Sequence, residues 1–412
     1  MPINSFLYPG AKFIPPYEVA NSVRYNDDDS PSMYKTPGSS GNRRTWTFST
    51  WFKRGNLGSS QWILDAYGGS SDEFHIYISS GNAIGIYTIG GGFGSNLSIS
   101  SSNLVRDISA WYHLVVRCDT TQGTASNRLR VYLNGAEVTY ASYSNFTENG
   151  EGQVSESGTK HWIGRRNAGD YFDGYFAETV LVDGSSLAPT SFGEYDSDSP
   201  QIWKPIDVSG LTFGTNGFYL DYEDSSNLGN DANGGTDFTE ANLAATDQST
   251  DTPTNNFAVM NNLAIHPSST FTFSEGNLQF ATSSSTRGYW ISTIAVSSGK
   301  WYWEYKVTNN QSRTCVGIAG APAKTNNDPE SGDHDNATIY TTINGKISYN
   351  SNGGTDNYYN QATGSDDIII GCALDLTSST NTIAFSIDGA WVTGSGTTST
   401  DFANVLVNDD FT

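Results

Sequence analysis

Two segments of the chain share one order of apolar and polar positions. Residues 113–135 and 368–389 each begin with an apolar run, continue through a loop rich in Asp, Thr and Ser, and end in an alternating stretch followed by Asn-Gly or Asp-Gly. In the first segment Leu129, Val131 and Leu133 alternate with larger polar neighbours. Alternation is typical of a β-strand with one buried face. Because Asn-Gly and Asp-Gly favour tight turns between strands, the pattern predicts two antiparallel β-domains.

Short alternating segments separated by Gly-, Ser- and Asn-rich turns continue along the chain, and no long stretch shows a clear helical period. The predicted fold class is therefore all-β, with two antiparallel β-sandwiches and an extended N-terminal arm. We expect residues 187–206, which break the alternation, to hold one short helical turn. The predicted divisions are an arm at 1–21, a first sandwich at 22–222, a long surface excursion and linker at 223–256, and a second sandwich at 257–412, incomplete at its C-terminus.

The composition and charge of the chain disfavour several classes of function. The 412 residues carry a net charge of −22, which disfavours binding to nucleic acid or to an anionic membrane. The chain has no run of 18 apolar residues and no apolar segment near Met1 that would form a signal peptide, so we expect synthesis in a cytoplasm and no membrane insertion. Cys118, Cys315 and Cys372 lie apart in apolar runs and are predicted to be buried thiols.

The N-terminal arm is rich in proline and aromatic residues. Disordered tails are usually poor in aromatic residues, so this composition favours a segment that docks on another protein. The candidate docking residues are Phe6, Tyr8, Phe13 and Tyr17.

The first sandwich contains the motifs WYHLV at 111–115, YLNG at 132–135 and GYFAE at 174–178. With these motifs, residues 22–222 resemble the laminin-G/pentraxin family of concanavalin A-like jelly rolls. The resemblance implies a jelly-roll fold and a binding function, without naming one ligand.

The second sandwich contains GKWYWEY at 299–305, IGCALDL at 370–376 and IAFSIDG at 383–389. With these motifs, residues 257–412 resemble the SPRY domain, a β-sandwich that binds partners through its loops and carries no catalytic chemistry. The order of the two domains is similar to that of virion proteins of tailed bacteriophages of the marine type, described as tail-fibre or structural proteins.

This resemblance implies a non-enzymatic virion protein, made in the host cytoplasm. It would be a tail fibre or comparable appendage that recognises a host-surface glycan or protein. Its arm would dock on other virion proteins, and the chain would form a homo-oligomer, a trimer by analogy with the family. Three alternatives stay open: a decoration or connector protein of the capsid or tail without a host ligand, a secreted adhesin, and a glycoside hydrolase. The absence of a Glu-x-Asp-x-x-Glu motif disfavours the hydrolase.

Loop aromatic residues are candidates for stacking on sugar rings: Tyr67, Phe93, Tyr143 and Tyr171. The alternative for each is packing on its own sandwich. Relatives of the jelly-roll class often bind calcium near the rim of the sandwich, and calcium is the one cofactor considered. Its candidate ligands are Asp65, Asp72, Asp170 and Asp173, although Asp in a Gly- and Ser-rich turn is also ordinary turn chemistry.

Overall fold

The computed structural model describes residues 17–406 apart from 95, 168, 198, 266–270, 283–289, 309–314, 320–336, 342–345, 350–358, 361–365, 378–380, 393–397 and 400–404. These residues form strands and four short 3-10 helices without an α-helix, so the fold is all-β as predicted. In this part of the chain no helix has the length and apolar character needed to span a bilayer. The chain divides into two compact units, the first holding the described residues up to 265 with those of 270–283 and 290–293, the second holding those from 294 onward.

The first unit contains twenty-four strands. They are β1 (Ser22–Tyr25), β2 (Ser32–Lys35), β3 (Thr45–Arg54), β4 (Gln61–Gly69), β5 (Asp72–Ile78), β6 (Ala83–Ile89), β7 (Ser98–Leu104), β8 (Trp111–Asp119), β9 (Leu129–Leu133), β10 (Ala136–Glu137), β11 (Tyr140–Tyr143), β12 (Lys160–Ile163), β13 (Arg165–Arg166), β14 (Gly169–Tyr171), β15 (Gly174–Asp183), β16 (Gly193–Tyr195), β17 (Trp203–Pro205), β18 (Phe218–Leu220), β19 (Thr239–Ala241), β20 (Gln248–Ser249), β21 (Met260–Ile265), β22 (Phe271–Ser274), β23 (Gln279–Thr282) and β24 (Trp290–Ser292). The 3-10 helices are Asp27–Asp29, Ala125–Asn127, Pro189–Ser191 and Ala245–Asp247.

Two eight-stranded antiparallel sheets form the sandwich of this unit. The first sheet has the order β10-β9-β8-β3-β15-β1-β20, with β18 on β15. The second has the order β11-β7-β6-β5-β4-β12-β2-β19. Side chains such as Phe48 and Phe176 from the first sheet and Phe74 and Ile86 from the second pack into one buried core. The burial of alternate residues on each strand supplies the main stabilisation of this unit.

The central strands of the first sheet are buried on both faces. Every residue of β15 is buried, and in β3 only Thr45 is partly exposed. Its outer face is covered by residues 187–222, whose apolar side chains pack with Val115, Tyr132 and Val180. The short helical turn predicted within 187–206 is confirmed at Pro189–Ser191. The alternation in β9 therefore separates two buried faces, because Tyr132 packs under this covering segment.

Residues 223–256 belong to the sandwich, which corrects their interpretation as a surface excursion and linker. Strand β19 pairs with β2 and strand β20 pairs with β1, so each sheet gains a strand. Asp251 is buried and accepts hydrogen bonds from Lys53 Nζ at 2.8 Å and from Trp111 Nε1 at 2.9 Å. Burial lowers the pKa of Lys53, and the Asp251 carboxylate opposes that shift. This buried ion pair fixes the segment to β3 and β8.

The described residues of the second unit form ten strands. They are β25 (Lys300–Val307), β26 (Cys315–Ala319), β27 (Ala337–Thr341), β28 (Lys346–Tyr349), β29 (Tyr359–Asn360), β30 (Ile368–Asp375), β31 (Thr382–Ile387), β32 (Ala390–Val392), β33 (Thr398–Ser399) and β34 (Val405–Leu406). One antiparallel sheet has the order β25-β30-β31-β32-β33 with β34 on β31, and the other has the order β26-β27-β28-β29. A smaller core includes Ile370, Cys372, Ile383 and Phe385. The predicted boundary at 257 stays a prediction. Strands β21 to β24, which follow it in the chain, group with the first unit.

Both predicted hairpin turns are confirmed. Asn134 and Gly135 have φ of 48° and 80°, and Asp388 and Gly389 have φ of 46° and 80°. Positive φ at both central residues is the geometry of the tight turn that these residue pairs favour. The thiols of Cys118 and Cys372 are buried, and burial raises the pKa of each, as expected for inert core cysteines. The side chain of Cys315 lies outside the described residues.

Replacing Lys53 with Met tests the buried ion pair. The K53M variant leaves the Asp251 carboxylate buried without its cation, and we expect a loss of about 3–5 kcal/mol in the free energy of unfolding. Hydrogen exchange of the β3 amides measures this loss in the full chain. The control is K204M, since the partly exposed Lys204 pairs with Glu194 and Asp196 at the surface and its loss should leave the protection of β3 unchanged. Equal protection of β3 in both variants would contradict the role given to Asp251.

Candidate binding face of the second sheet

The register of the second sheet places five side chains in one row across five strands. Tyr34 lies opposite Trp162, Trp162 opposite Asp65, Asp65 opposite His75, and His75 opposite Tyr87. Residues directly opposite each other in antiparallel strands lie on the same face of the sheet. Their sequence neighbours, including Ile76 and Ile86, point into the core. The row therefore lies on the face that points away from the core, the outward face.

A β-bulge brings Trp62 to the same face. Trp62 pairs with Tyr77 and Leu64 pairs with Ile76, so Ile63 is an extra residue in β4. Ile63 and Leu64 are both buried in the core. With strict alternation, the Trp62 side chain would lie on the same face as Leu64, which points into the core. The extra residue Ile63 turns the Trp62 side chain to the outward face instead. The Trp62 ring stacks on the Tyr77 ring with centroids 5.4 Å apart and an interplanar angle of 18°.

We name the aromatic side chains of the outward face the aromatic platform: Tyr34, Trp62, Tyr77, Tyr87 and Trp162. All are partly exposed except Trp162, which is 8% exposed. Such rings offer apolar faces, while the tyrosine hydroxyls remain able to hydrogen bond at the edge. The arrangement suits a ligand that has both an apolar face and polar groups around it.

Gly85 allows the Tyr77 ring to lie against the sheet. A Cβ at Gly85 would lie 2.6 Å from Cε1 and Cζ of Tyr77. Real Cβ atoms do not approach ring atoms so closely, so any larger residue at this position would displace the ring. The glycine in β6 is therefore part of the geometry that stacks Tyr77 on Trp62.

Charged side chains occupy the middle of the outward face. Nδ1 of His75 lies 3.0 Å from Oδ1 of Asp65, and Nε2 lies 2.8 Å from Oε2 of Glu73. Arg166 Nη2 lies 3.4 Å from the same Glu73 oxygen, and Asp65 Oδ2 accepts a hydrogen bond from the Asn167 amide at 2.7 Å. Asp65, Glu73 and His75 are buried. A retaining hydrolase needs two carboxylates that flank the scissile bond, whereas here an imidazole fills the space between them.

Two further cations lie over aromatic rings at one side of the platform. Lys160 Nζ lies 4.3 Å from the ring centroid of Tyr34 and 4.9 Å from that of Trp162. Arg165 Cζ lies 4.5 Å from the centroid of Trp162 and 5.0 Å from that of Tyr171. These distances are typical of cation–π interactions.

The four predicted sugar-stacking residues separate into two pairs. Tyr67 lies on the outward face opposite Lys160, and Tyr171 lies under Arg165, so both border the platform from strands β4 and β14. Phe93 is 0% exposed and packs in the core, which corrects its prediction as a stacking residue. The Tyr143 hydroxyl donates a hydrogen bond to the Leu129 carbonyl at 2.8 Å and its ring packs on the core, so it also supports its own sandwich.

The predicted calcium ligands do not converge. Asp65 contacts His75, Asp72 accepts a hydrogen bond from Gln153, and Asp170 is exposed and lies 3.9 Å from Arg166. Asp173 is buried elsewhere, and burial raises its pKa to about 7. Within the described ranges, no three or more His, Cys, Asp or Glu side chains are grouped so that they could hold a metal ion.

Of the predicted docking residues, Phe6, Tyr8 and Phe13 lie outside the described residues. The Tyr17 hydroxyl donates a hydrogen bond to Glu178 Oε2 at 3.1 Å, and the Tyr219 hydroxyl donates to the same oxygen at 2.8 Å. Burial raises the pKa of Glu178 to about 7, although both hydroxyls oppose the shift. Tyr17 is thus attached to the sandwich of its own chain, and the docking role of the arm stays a prediction.

A buried Ser49–His113 contact is not a catalytic pair. The indole Nε1 of Trp203 donates a hydrogen bond to His113 Nδ1 at 2.9 Å, and the other ring nitrogen lies 2.9 Å from Ser49 Oγ. Because an indole nitrogen can only donate, the neutral imidazole carries its proton on Nε2 and donates to Ser49. Burial lowers the pKa of His113 to about 3, so this histidine does not take up the serine proton.

The candidate ligand contacts predicted from the sequence were loop residues, and the strand residues of the platform were not among them. The signal that could have found them is the polar side of the alternation in residues 72–78, where His75 and Tyr77 alternate with Phe74, Ile76 and Ile78. Aromatic residues at the polar positions of a strand indicate an outward sheet face that can contact a ligand.

Two family models match the chain. Residues 28–188 match the laminin-G type model described as the concanavalin A-like lectin/glucanases superfamily, and residues 300–406 match the SPRY domain. A match to a concanavalin A-like model is therefore followed by a match to the SPRY domain, in the order that the resemblance implied. These matches do not indicate a bacteriophage origin. No curated protein matches the chain.

Several solved structures are similar. A Bacteroides ovatus protein provisionally described as carbohydrate binding is 15% identical with a TM-score of 0.38, and the match covers 55% of this chain and 59% of that chain. A heptameric SAP-like pentraxin from Limulus polyphemus is 15% identical with a TM-score of 0.32, covering 42% and 80%. Domains LG4-5 of the mouse laminin α1 chain are 12% identical with a TM-score of 0.34, covering 96% and 84%.

Replacing Gly85 with Ala tests the packing of Tyr77. In the G85A variant the new methyl group displaces the ring, so we expect the Trp62–Tyr77 centroid distance to increase from 5.4 Å in a crystal structure of the variant. The control is G81A in the preceding turn, where the nearest atom to a new Cβ is Ser79 Oγ at 3.7 Å and no ring moves. Unchanged stacking in G85A would show that Gly85 does not set the position of the ring.

Proposed function

We propose that the chain is a non-enzymatic binding protein whose concanavalin A-like domain takes a saccharide on the aromatic platform. The observation that carries the proposal is the stacked Trp62–Tyr77 pair, partly exposed on the outward face and bordered by charged and hydroxyl groups. The description of the matching family, which includes lectins, supports a saccharide as the occupant.

The chemistry of a sugar ring fits this surface. One face of a pyranose is largely C–H and packs on an aromatic ring, while its hydroxyl groups seek hydrogen bonds around the edge. Binding sites generally combine apolar area with a few well-placed polar groups. Here Trp62 and Tyr77 provide the area. Arg166 Cζ lies over the Trp62 ring, 5.7 Å from its centroid, and the Tyr87 ring stacks on that of His75.

The same family description includes glucanases, so hydrolysis is the competing function. The arrangement of the two outward carboxylates argues against it, because His75 contacts both Asp65 and Glu73 and lies where a glycosidic bond would have to lie. The cluster instead places the imidazole of His75 between the two carboxylates at the centre of the platform.

The assembly to which the chain belongs is the subject of a separate proposal. We propose, from the sequence resemblance alone, that the chain is a virion structural protein of a tailed phage. In this role, the first domain binds a host-surface glycan, the SPRY domain binds a protein partner, and the arm binds other virion proteins. A decoration or connector role without a host ligand is the alternative, and the presence or absence of glycan binding separates the two.

A glycan array probed with the full chain, followed by calorimetric titration of the strongest hit, tests the proposed site. We expect Y77A and W62A each to weaken binding at least tenfold, which corresponds to about 1.4 kcal/mol, because each removes one ring of the stacked pair. The control is Y195A, since Tyr195 is a 50% exposed aromatic residue on β16, away from the platform. The site is refuted by equal binding of Y77A and the unmodified chain, and glycan binding is refuted by an array without hits.

A further inference from the structure

The outward face concentrates cations in a chain with a net charge of −22. Lys160, Arg165 and Arg166 all lie on or beside the platform. Arg166 pairs with Glu73. Among the described residues, no carboxylate oxygen lies within 4.0 Å of a nitrogen of Lys160 or Arg165. The charges of Lys160 and Arg165 are therefore left for another anion.

Aromatic rings hold both cations in place. Trp162 lies beneath both of them, and Tyr34 and Tyr171 each contact one. Arg165 is further fixed by hydrogen bonds that it donates to the carbonyls of Arg166 at 3.0 Å and Asn167 at 3.1 Å. Because Trp162 is 8% exposed, its ring supports the cations more than it offers a surface to a sugar. Cations that are already ordered lose little side-chain entropy when they bind an anion.

The negative charge of the whole chain does not cancel this local charge. Interactions between exposed charges are largely screened beyond about 8 Å at physiological ionic strength. Of the carboxylates on this face, Asp65 and Glu73 are buried against His75, and Asp170 is nearest to Arg166. An anion that approaches Lys160 and Arg165 therefore meets two nearby positive groups before it meets an unpaired negative one.

We propose that the saccharide of the platform is acidic, carrying carboxylate or sulfate groups that pair with Lys160 and Arg165 while a neighbouring sugar ring packs on Trp62 and Tyr77. Lys160 lies on β12, the strand beside β4, in the row of Tyr67 and Glu73 rather than that of Trp62. A ligand longer than one sugar is needed to reach both places. This inference rests on the proposed function, since it names the class of saccharide that the same face takes.

The experiment uses an array of hexuronate, sialylated and sulfated oligosaccharides, each printed beside an uncharged counterpart in which the carboxylate is a methyl ester or the sulfate is removed. We expect the full chain to prefer charged members at least tenfold at low salt, and the preference to shrink toward parity as salt rises. The comparison between carboxylated and sulfated oligosaccharides identifies which anionic group the protein binds.

Variants distinguish the effect of Lys160 and Arg165 from the effect of the net charge of the chain. We expect K160Q combined with R165Q to lose the preference while still binding uncharged members, and K160R to keep the preference because its charge remains. The matched control combines R106Q, in the loop between β7 and β8, with K204Q on β17. It removes the same charge from positions outside β12 and β13 and should leave the preference unchanged. Hydrogen exchange of β12 checks that each variant keeps its fold.

The outcomes distinguish the two proposals. If charged and uncharged members bind equally and Y77A abolishes both, the site stands and the acidic ligand is overturned. If K160Q with R165Q keeps the preference, or the control pair loses it to the same extent, the role of these two cations is overturned. If no member binds better to the full chain than to Y77A, the platform itself is overturned, and this inference with it.

Discussion

The register of the second sheet is the constraint on which both the core and the candidate site depend. Side chains along a strand alternate between faces, so a slip of one residue would exchange the two sets. The pairing that directs Ile76 and Ile86 into the core also directs His75 and Tyr87 outward. Burial of the aliphatic row stabilises the pairing. The platform is therefore specified by the core and needs no separate flexible loops to position it.

The two sheets differ in what they leave accessible. The first is covered on its outer face by residues 187–222 and is joined to residues 248–256 through the buried Lys53–Asp251 pair. The second keeps partly exposed rings on its outer face, where Tyr77 and Tyr87 lie in neighbouring rows. The first sheet, whose central strands are buried, thus supports the second, which is an arrangement suited to a rigid binding surface.

Much of the fold could be predicted from local sequence signals. Asn134-Gly135 and Asp388-Gly389 form the expected turns because few other residues adopt positive φ easily. The position of Trp62 could not be predicted, since the bulge at Ile63 depends on pairing with β5. The burial of Asp251 could not be predicted either. Its neighbours in sequence are typical of a turn, and its partner Lys53 is distant in sequence. For Phe93, a Gly-rich neighbourhood indicated a loop, but only tertiary packing places the ring in the core.

We propose that ligand binding occurs on the outward face of the second sheet and not at the loops of the sandwich rim. A crystal structure of the full chain soaked with the saccharide that binds most tightly on the array tests this location. We expect a sugar ring packed on Trp62 and Tyr77, with neighbouring sugar groups toward Lys160. A sugar bound at the rim loops, with Trp62 and Tyr77 free of contact, would contradict it.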